Sequence, residues 1–269
     1  MFIHKAIAFI KRDFSIQTSY KLAFILHWLG YFFPLIIFYF IAKLFEKAQA
    51  MPLEAYGGRY FPYVLIGIVI VNFFGARAGI FSSSIRREQL TGTLESLLVT
   101  PTKISTTVVS LGFWNIISST IVAFIYLVCG WLFFGVDLSN ANIISSIVVF
   151  GLTIICSVSL GIISASFTMV YKMGDPVSYL FGNVMGILGG VFFPVTMLPK
   201  GLRFISHFLP ITFSLKALRL SLLKGYSVGQ LTTEIIALLL FSIFLLPLSI
   251  LIFKYSVREA KKSGSLIHY

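Results

Sequence analysis

Six stretches of this chain stay apolar for about 20 residues at a time, and that feature decides most of what it can become. A helix rises about 1.5 Å per residue, so each stretch is long enough to cross roughly 30 Å of hydrocarbon. They fall at residues 22–42, 62–81, 108–134, 143–170, 176–195 and 235–253. Runs such as "LFGNVMGILGGVFFP" and "ALLLFSIFLLPLSILIF" are apolar on every side, without the alternation of barrel strands. The expected fold class is therefore an all-α integral membrane protein with six transmembrane helices. A mean hydropathy of +0.95 and 58% hydrophobic residues exceed what one soluble core can hide, which leaves a single membrane domain over residues 1–269.

The first stretch is not read as a signal sequence, although "KR" precedes it and Ala48-Gln49-Ala50 resembles a cleavage site. Its run is longer than the roughly 7 to 15 residues of a signal core, and five more stretches follow. Cys129 and Cys156 both fall within spans and imply neither a disulfide framework nor a zinc site. The net charge of +12 is dispersed around the spans rather than gathered in a groove with stacking aromatics, which points to membrane lipids and away from nucleic acid. An even number of spans places both termini on one side. Of the 21 Lys and Arg residues, twelve fall on that side and eight on the other, with Arg77 inside a span. This bias predicts cytoplasmic termini in a plasma or inner membrane.

Residues 1–21 put Phe2, Ala6, Phe9 and Ile10 on one face of an amphipathic helix, expected to lie in the interface as a sliding elbow or a plain anchor. Gly182, Gly186 and Gly190 recur every four residues, as do Ser157, Gly161 and Ala165, a spacing that lets helices approach closely within one subunit or between two. Asn72, Asn115 and Asn183 are polar groups inside spans, candidates for lining a pathway or for bonding between helices. Residues 194–226 are too polar to span and too apolar for a free loop. Pro194, Pro199 and Pro210 divide them, and Leu215, Leu218 and Leu222 form a stripe with Lys216, Arg219 and Lys224 assigned to the polar side. The expectation is two short re-entrant helices capping the bundle's outer mouth, or an amphipathic helix resting on headgroups.

The chain lacks the chemistry of a self-sufficient pump. Its acids lie at span ends or in loops, His27 is a lone candidate for a relay, and Arg77 is expected to snorkel toward phosphates. No G-x-x-x-x-G-K-[ST] loop and no metal-type or nucleophile-type cluster occurs in the sequence. The chain is thus expected to be non-catalytic and to bind no cofactor itself; if it moves a substrate, another polypeptide supplies the energy.

Between the second and third spans, within a cytoplasmic segment at 82–103, lies "RREQLTGTLESLLVTP". Leu90, Leu94, Leu97 and Leu98 share one face of an expected helix from Arg86 to Thr100, with Arg86, Arg87, Glu88, Thr91 and Glu95 largely elsewhere and Pro101 closing it. Gly92 weakens such a helix by about 1 kcal/mol relative to alanine, so it marks a kink or a close backbone contact. The mixture of charge signs favours a protein partner over a lipid surface.

This stretch resembles the signature E-x-x-x-G-T-L-E-x-L-L-x-T-P of the membrane subunits of type-2 ATP-binding cassette (ABC) exporters, matching at Glu88, Gly92, Thr93, Leu94, Glu95, Leu97, Leu98, Thr100 and Pro101. Gln89-Leu90-Thr91 departs from a commonly more charged stretch. "FFPVTMLPKGLRFISHFLPITFSLKALR" is similar to the family's outer re-entrant region at Pro194, Leu198, Pro199, Pro210, Thr212 and Arg219. The resemblance implies a permease subunit that pairs with a second permease, identical or homologous, and with a nucleotide-binding ATPase that carries ATP and magnesium. It implies that the 86–101 segment docks on that ATPase and that a drug-like, lipid or lipid-linked substrate leaves between the two halves. A carrier or channel driven by an ion gradient, and a non-transporting assembly factor, stand as alternatives.

Overall fold

A computed structural model of the protein describes residues 7, 11, 12, 14, 15, 18–48, 53–90, 92, 104–171 and 184–262. Among them there is no strand. The helices are α1 (Lys21–Gly30), α2 (Phe32–Ala48), α3 (Tyr60–Leu90), α4 (Ile104–Phe134), α5 (Ile143–Tyr171), α6 (Lys200–Ser206), α7 (Pro210–Lys224) and α8 (Thr232–Lys262), with 3-10 turns at Glu54–Tyr56 and Val195–Met197.

Four stretches are long and apolar enough to cross a membrane: Phe24–Phe45, Ile116–Phe134, Ile143–Tyr171 and Thr232–Ala260. They coincide with the first, third, fourth and sixth expected spans. The second expected span belongs to α3, which is apolar over Tyr60–Phe74 and then runs on, unbroken, through Arg77, Arg86 and Arg87. Of the fifth, residues 172–183 lie outside the described residues and 184–188 are helical.

The first expected span holds over Phe24–Phe45 and carries a turn at Tyr31, between α1 and α2. Pro34 has no N–H to offer the Gly30 carbonyl, and the turn tightens so that Tyr31 N donates to Trp28 O at 3.2 Å. One expected boundary, in the fifth span, needs correction: that helix does not reach residue 195. It stops at 188, where the chain turns through Gly189 and Gly190, the latter at φ +81°.

The middle of the bundle is α5, packed against α3, α7 and α8. Lipid tails are as apolar as leucine, so helix association rests on close packing and on bonds between helices, worth about 0.6 kcal/mol each. Both operate here. Ser157, Gly161 and Ala165 are all buried inside this one chain, which assigns their four-residue spacing to packing within the subunit. Hydroxyls join the helices at Thr153 Oγ1 to Ser214 Oγ (2.9 Å), Ser146 Oγ to Ser221 Oγ (3.0 Å) and Ser82 Oγ to Thr168 Oγ1 (2.9 Å), and Cys156 Sγ lies 3.3 Å from Ser242 Oγ. By contrast α1 and α2 present Leu22, Leu26, Phe33, Phe40 and Leu44 outward, a surface suited to lipid or to another subunit. The described residues of the N-terminal segment are helical up to Ser19, and the Phe14 ring meets Trp114 of α4 edge-on at 5.2 Å.

Candidate functional site

The residues singled out in the sequence gather at the two ends of α3. At the C-terminal end, Arg86, Arg87 and Glu88 do not begin a separate helix; they are the last turns of α3, which ends at Leu90. Gly92 follows at φ +68°, a left-handed conformation that glycine adopts without the steric cost a Cβ would bring. That backbone conformation is by itself a reason for glycine here. Of the expected helix from Arg86 to Thr100, the residues up to Leu90 belong to α3 and Gly92 lies in a turn; the rest falls outside the described residues. Arg86 is exposed at the tip of α3. Thr93, Leu94, Glu95, Leu98, Thr100 and Pro101 lie outside the described residues.

At the opposite end, the sequence placed Arg219 on the polar side of α7, and the structure buries it to 2% exposure. Its neighbours Pro210, Ile211, Ser214, Leu215, Ala217, Leu218 and Ser221 are buried too, so α7 is enclosed by α3, α5 and α8. A buried cation is costly unless every donor is engaged. Here Nε donates to Tyr63 O (3.1 Å), Nη1 to Gly190 O (2.8 Å) and Nη2 to Val191 O (2.8 Å). The guanidinium carbon stands 3.4 Å from the centroid of the Tyr63 ring, whose electron-rich face supplies further attraction. Tyr63 Oη in turn donates to Gly190 O at 2.8 Å. No carboxylate forms an ion pair with Arg219 among the described residues. The planar fork of arginine suits three carbonyls at fixed angles, which a lysine ammonium does not match.

Two glycines make room for this joint. The left-handed Gly190 turns the chain so that successive carbonyls, of Gly190 and Val191, face the same guanidinium. Gly190 is thus a turn residue and not part of a helical packing stripe, which corrects its expected role. On α3, a Cβ at Gly67 would stand 2.5 Å from Val191 O and 3.0 Å from Arg219 Nη2. Arg219 on α7, Tyr63 and Gly67 on α3, and the turn at 189–191 therefore form one interlocked unit.

The remaining expected positions distribute around it. Pro194 is buried, Pro199 caps the start of α6, and Pro210 opens α7 at its first turn. Thr212 Oγ1 is buried without a hydrogen-bond partner. Arg203 Nη2 donates to Thr196 O, and Ser206 Oγ to Leu188 O at 2.6 Å, so α6 holds the preceding turn in place. Gly186 packs on α3, a Cβ there meeting Val71 Cγ2 at 3.7 Å. Asn72 is half-buried on α3, Asn115 lies in α4 without a described side chain, and Gly182 and Asn183 lie outside the described residues. Tyr63, Gly67 and Val191 were not singled out in the sequence. The spacing of Tyr63 and Gly67, four residues apart on one helix face, is the signal that marked them.

Among the described residues no cluster of His, Cys, Asp and Glu suited to a metal occurs. The described site is a long helix packed near one end against a buried turn, with Arg86 exposed near the other.

A family model described as "ABC-2 type transporter" matches residues 7–223. No curated protein matches the chain.

Proposed function

The chain belongs to the ABC-2 type transporter family, and from that premise we propose that this membrane permease is the transmembrane subunit of an exporter powered by a separate ATPase. The proposed cargo is a hydrophobic or amphipathic molecule, drug, lipid or lipid-linked, moved from the cytoplasm or inner leaflet outward between two permease subunits. In this reading the domain spans residues 1–269 with six transmembrane helices, α6 and α7 are re-entrant from the outer side, and both termini are cytoplasmic. ATP and magnesium bind the partner subunit, and the segment from Arg86 to Pro101 docks on it.

The observation that carries the reading is the continuity of α3. Its 31 residues run without interruption from Tyr60 to Leu90, about 46 Å at 1.5 Å per residue. A push delivered at Arg86 reaches Tyr63 and Gly67 through hydrogen-bonded helix and not through loop. There Arg219 passes the displacement to α7 and to the turn at 189–191. Gly92, in its left-handed conformation, is the pivot between that rod and the docking segment.

The experiment is ATP-driven transport in vesicles holding this chain and its ATPase partner. Arg86→Glu and Gly92→Leu are expected to cut transport at least tenfold while the complex still assembles in the membrane. Transport equal to that of the unaltered complex for both variants would overturn the docking role.

A further inference from the structure

Away from the Arg219 joint, an open cavity of about 340 Å³ lies where α2 ends, α3 begins and α4 ends. It falls within the size range of small-ligand sites, about 300–1,000 Å³. Its floor is a triangle of rings: Tyr39 meets Phe61 at 5.3 Å and Phe134 at 4.8 Å, and Phe61 meets Phe134 at 5.2 Å. Mutual contact holds the three rings in place, so the floor is preformed. Two cations border it, Lys43 on α2 and Arg59 just before α3. Lys43 Nζ sits 4.7 Å over the Tyr39 ring, and neither cation forms an ion pair among the described residues.

No acid among the described residues lines the cavity. The nearest acidic influence on Arg59 is Asp137, whose carboxylate is already engaged by Ser139 Oγ (2.6 Å) and Ser139 N (3.0 Å). Those hydrogen bonds hold it below the usual carboxylate range, with a smaller contribution from Arg59. Two cations without an ion pair among the described residues, over an aromatic floor, suit an anion. The surroundings narrow which one: Phe40, Leu44, Leu132 and Phe133, on the α2 and α4 segments bordering the cavity, are all exposed. A ligand with a charged head and long apolar tails satisfies both surfaces at once, whereas a free anion satisfies only the first.

We propose that this cavity binds the phosphate headgroup of an anionic phospholipid, with the acyl chains lying along the exposed faces of α2 and α4. The site takes Phe61 and Pro62 from the first turn of α3, but it does not depend on the transport reading. Occupied, it adds a further tie between the ends of three helices.

The test uses the purified full chain in uncharged detergent, with thermal unfolding and native mass spectrometry as readouts. The probes are phosphatidylglycerol, phosphatidylcholine and inorganic phosphate. Phosphatidylglycerol is expected to remain bound in the spectrometer and to raise the unfolding midpoint, with phosphatidylcholine and inorganic phosphate at the same concentration giving much smaller effects. Lys43→Gln and Arg59→Gln are each expected to weaken that binding about fivefold, and the double variant about 25-fold. Lys224→Gln, the same charge change at an exposed position outside the cavity, is expected to leave it unaltered. Because both cavity cations are exposed and bond to no backbone, the variants should retain wild-type circular dichroism; Arg59→Lys, which keeps the charge, should restore most of the binding. Equal binding of phosphatidylglycerol by the double variant overturns the site. Stabilisation by inorganic phosphate as strong as by phosphatidylglycerol overturns the lipid as its ligand. Absence of any phosphatidylglycerol effect on the unaltered chain overturns both.

Discussion

At the scale of single residues, the most informative position is one whose burial was legible in the sequence and was read the other way. Arg219 was grouped with Lys216 and Lys224 by charge, yet it lies four residues after Leu215 and three before Leu222, squarely on the leucine stripe. Position on the helix decided the outcome; charge decided only which partners were needed. Lys216, one turn-face away, points outward and pairs with Glu234 at 2.7 Å. Removing the guanidinium takes a charged donor from three carbonyls, of which Gly190 O keeps Tyr63 Oη, so Arg219→Ala is expected to lower stability by about 3 kcal/mol. Arg219→Lys is expected to recover less than half of that, because one ammonium cannot meet three divergent acceptors. Denaturant unfolding in detergent measures both. Gly67→Ala tests the same joint from α3: the added methyl meets Val191 O at 2.5 Å, and the expected cost is about 1–3 kcal/mol, with Gly186→Ala, where contacts are 3.7 Å, much milder.

At the scale of elements, hydropathy located the spans that are apolar throughout and missed the punctuation that others carry. The third, fourth and sixth needed only length and composition. The first holds but hides a turn, since a proline four residues after Gly30 is invisible to a hydropathy window but removes one rung of the hydrogen-bond ladder. Pro34→Ala is expected to join α1 and α2 into one helix; spin labels at the exposed Leu22 and Leu44 would then move apart, and an unchanged separation would show that packing against α3 imposes the bend. The last residues of α3, from Arg86, are expected from the sequence to open a separate helix because charges interrupt the apolar run, although nothing between Tyr60 and Leu90 breaks a helix except Pro62, which sits harmlessly in the first turn. Polarity change was mistaken for a boundary. Gly92, in the turn beyond Leu90, is flagged in the sequence, but its left-handed conformation required the φ angle.

At the scale of the whole molecule, the division of labour follows from what the chain contains. Its helices are held by small residues and hydroxyls around α5, and α3, one of several long helices, leads from the exposed Arg86 to a buried joint. Family membership was legible in the motif at 88–101, even though most of that motif lies outside the described residues, because the pattern is carried by residue types and spacing alone. What fits through the assembly was not legible, since apolar surface that packs and apolar surface that carries cargo have the same composition. Reconstituted by itself with ATP and magnesium, the chain is expected to leave a labelled amphipathic probe evenly distributed across the vesicle wall; adding the ATPase partner is expected to establish a gradient. Pumping by the chain alone would remove the basis for the proposed role. The joint at Arg219 carries a last implication for where such a protein can work. Its cation leans on carbonyls, which have no proton to gain in ordinary media, and on no carboxylate that acidification would neutralise. Acidification of the surrounding medium therefore does not loosen this joint, whichever face of the membrane it meets.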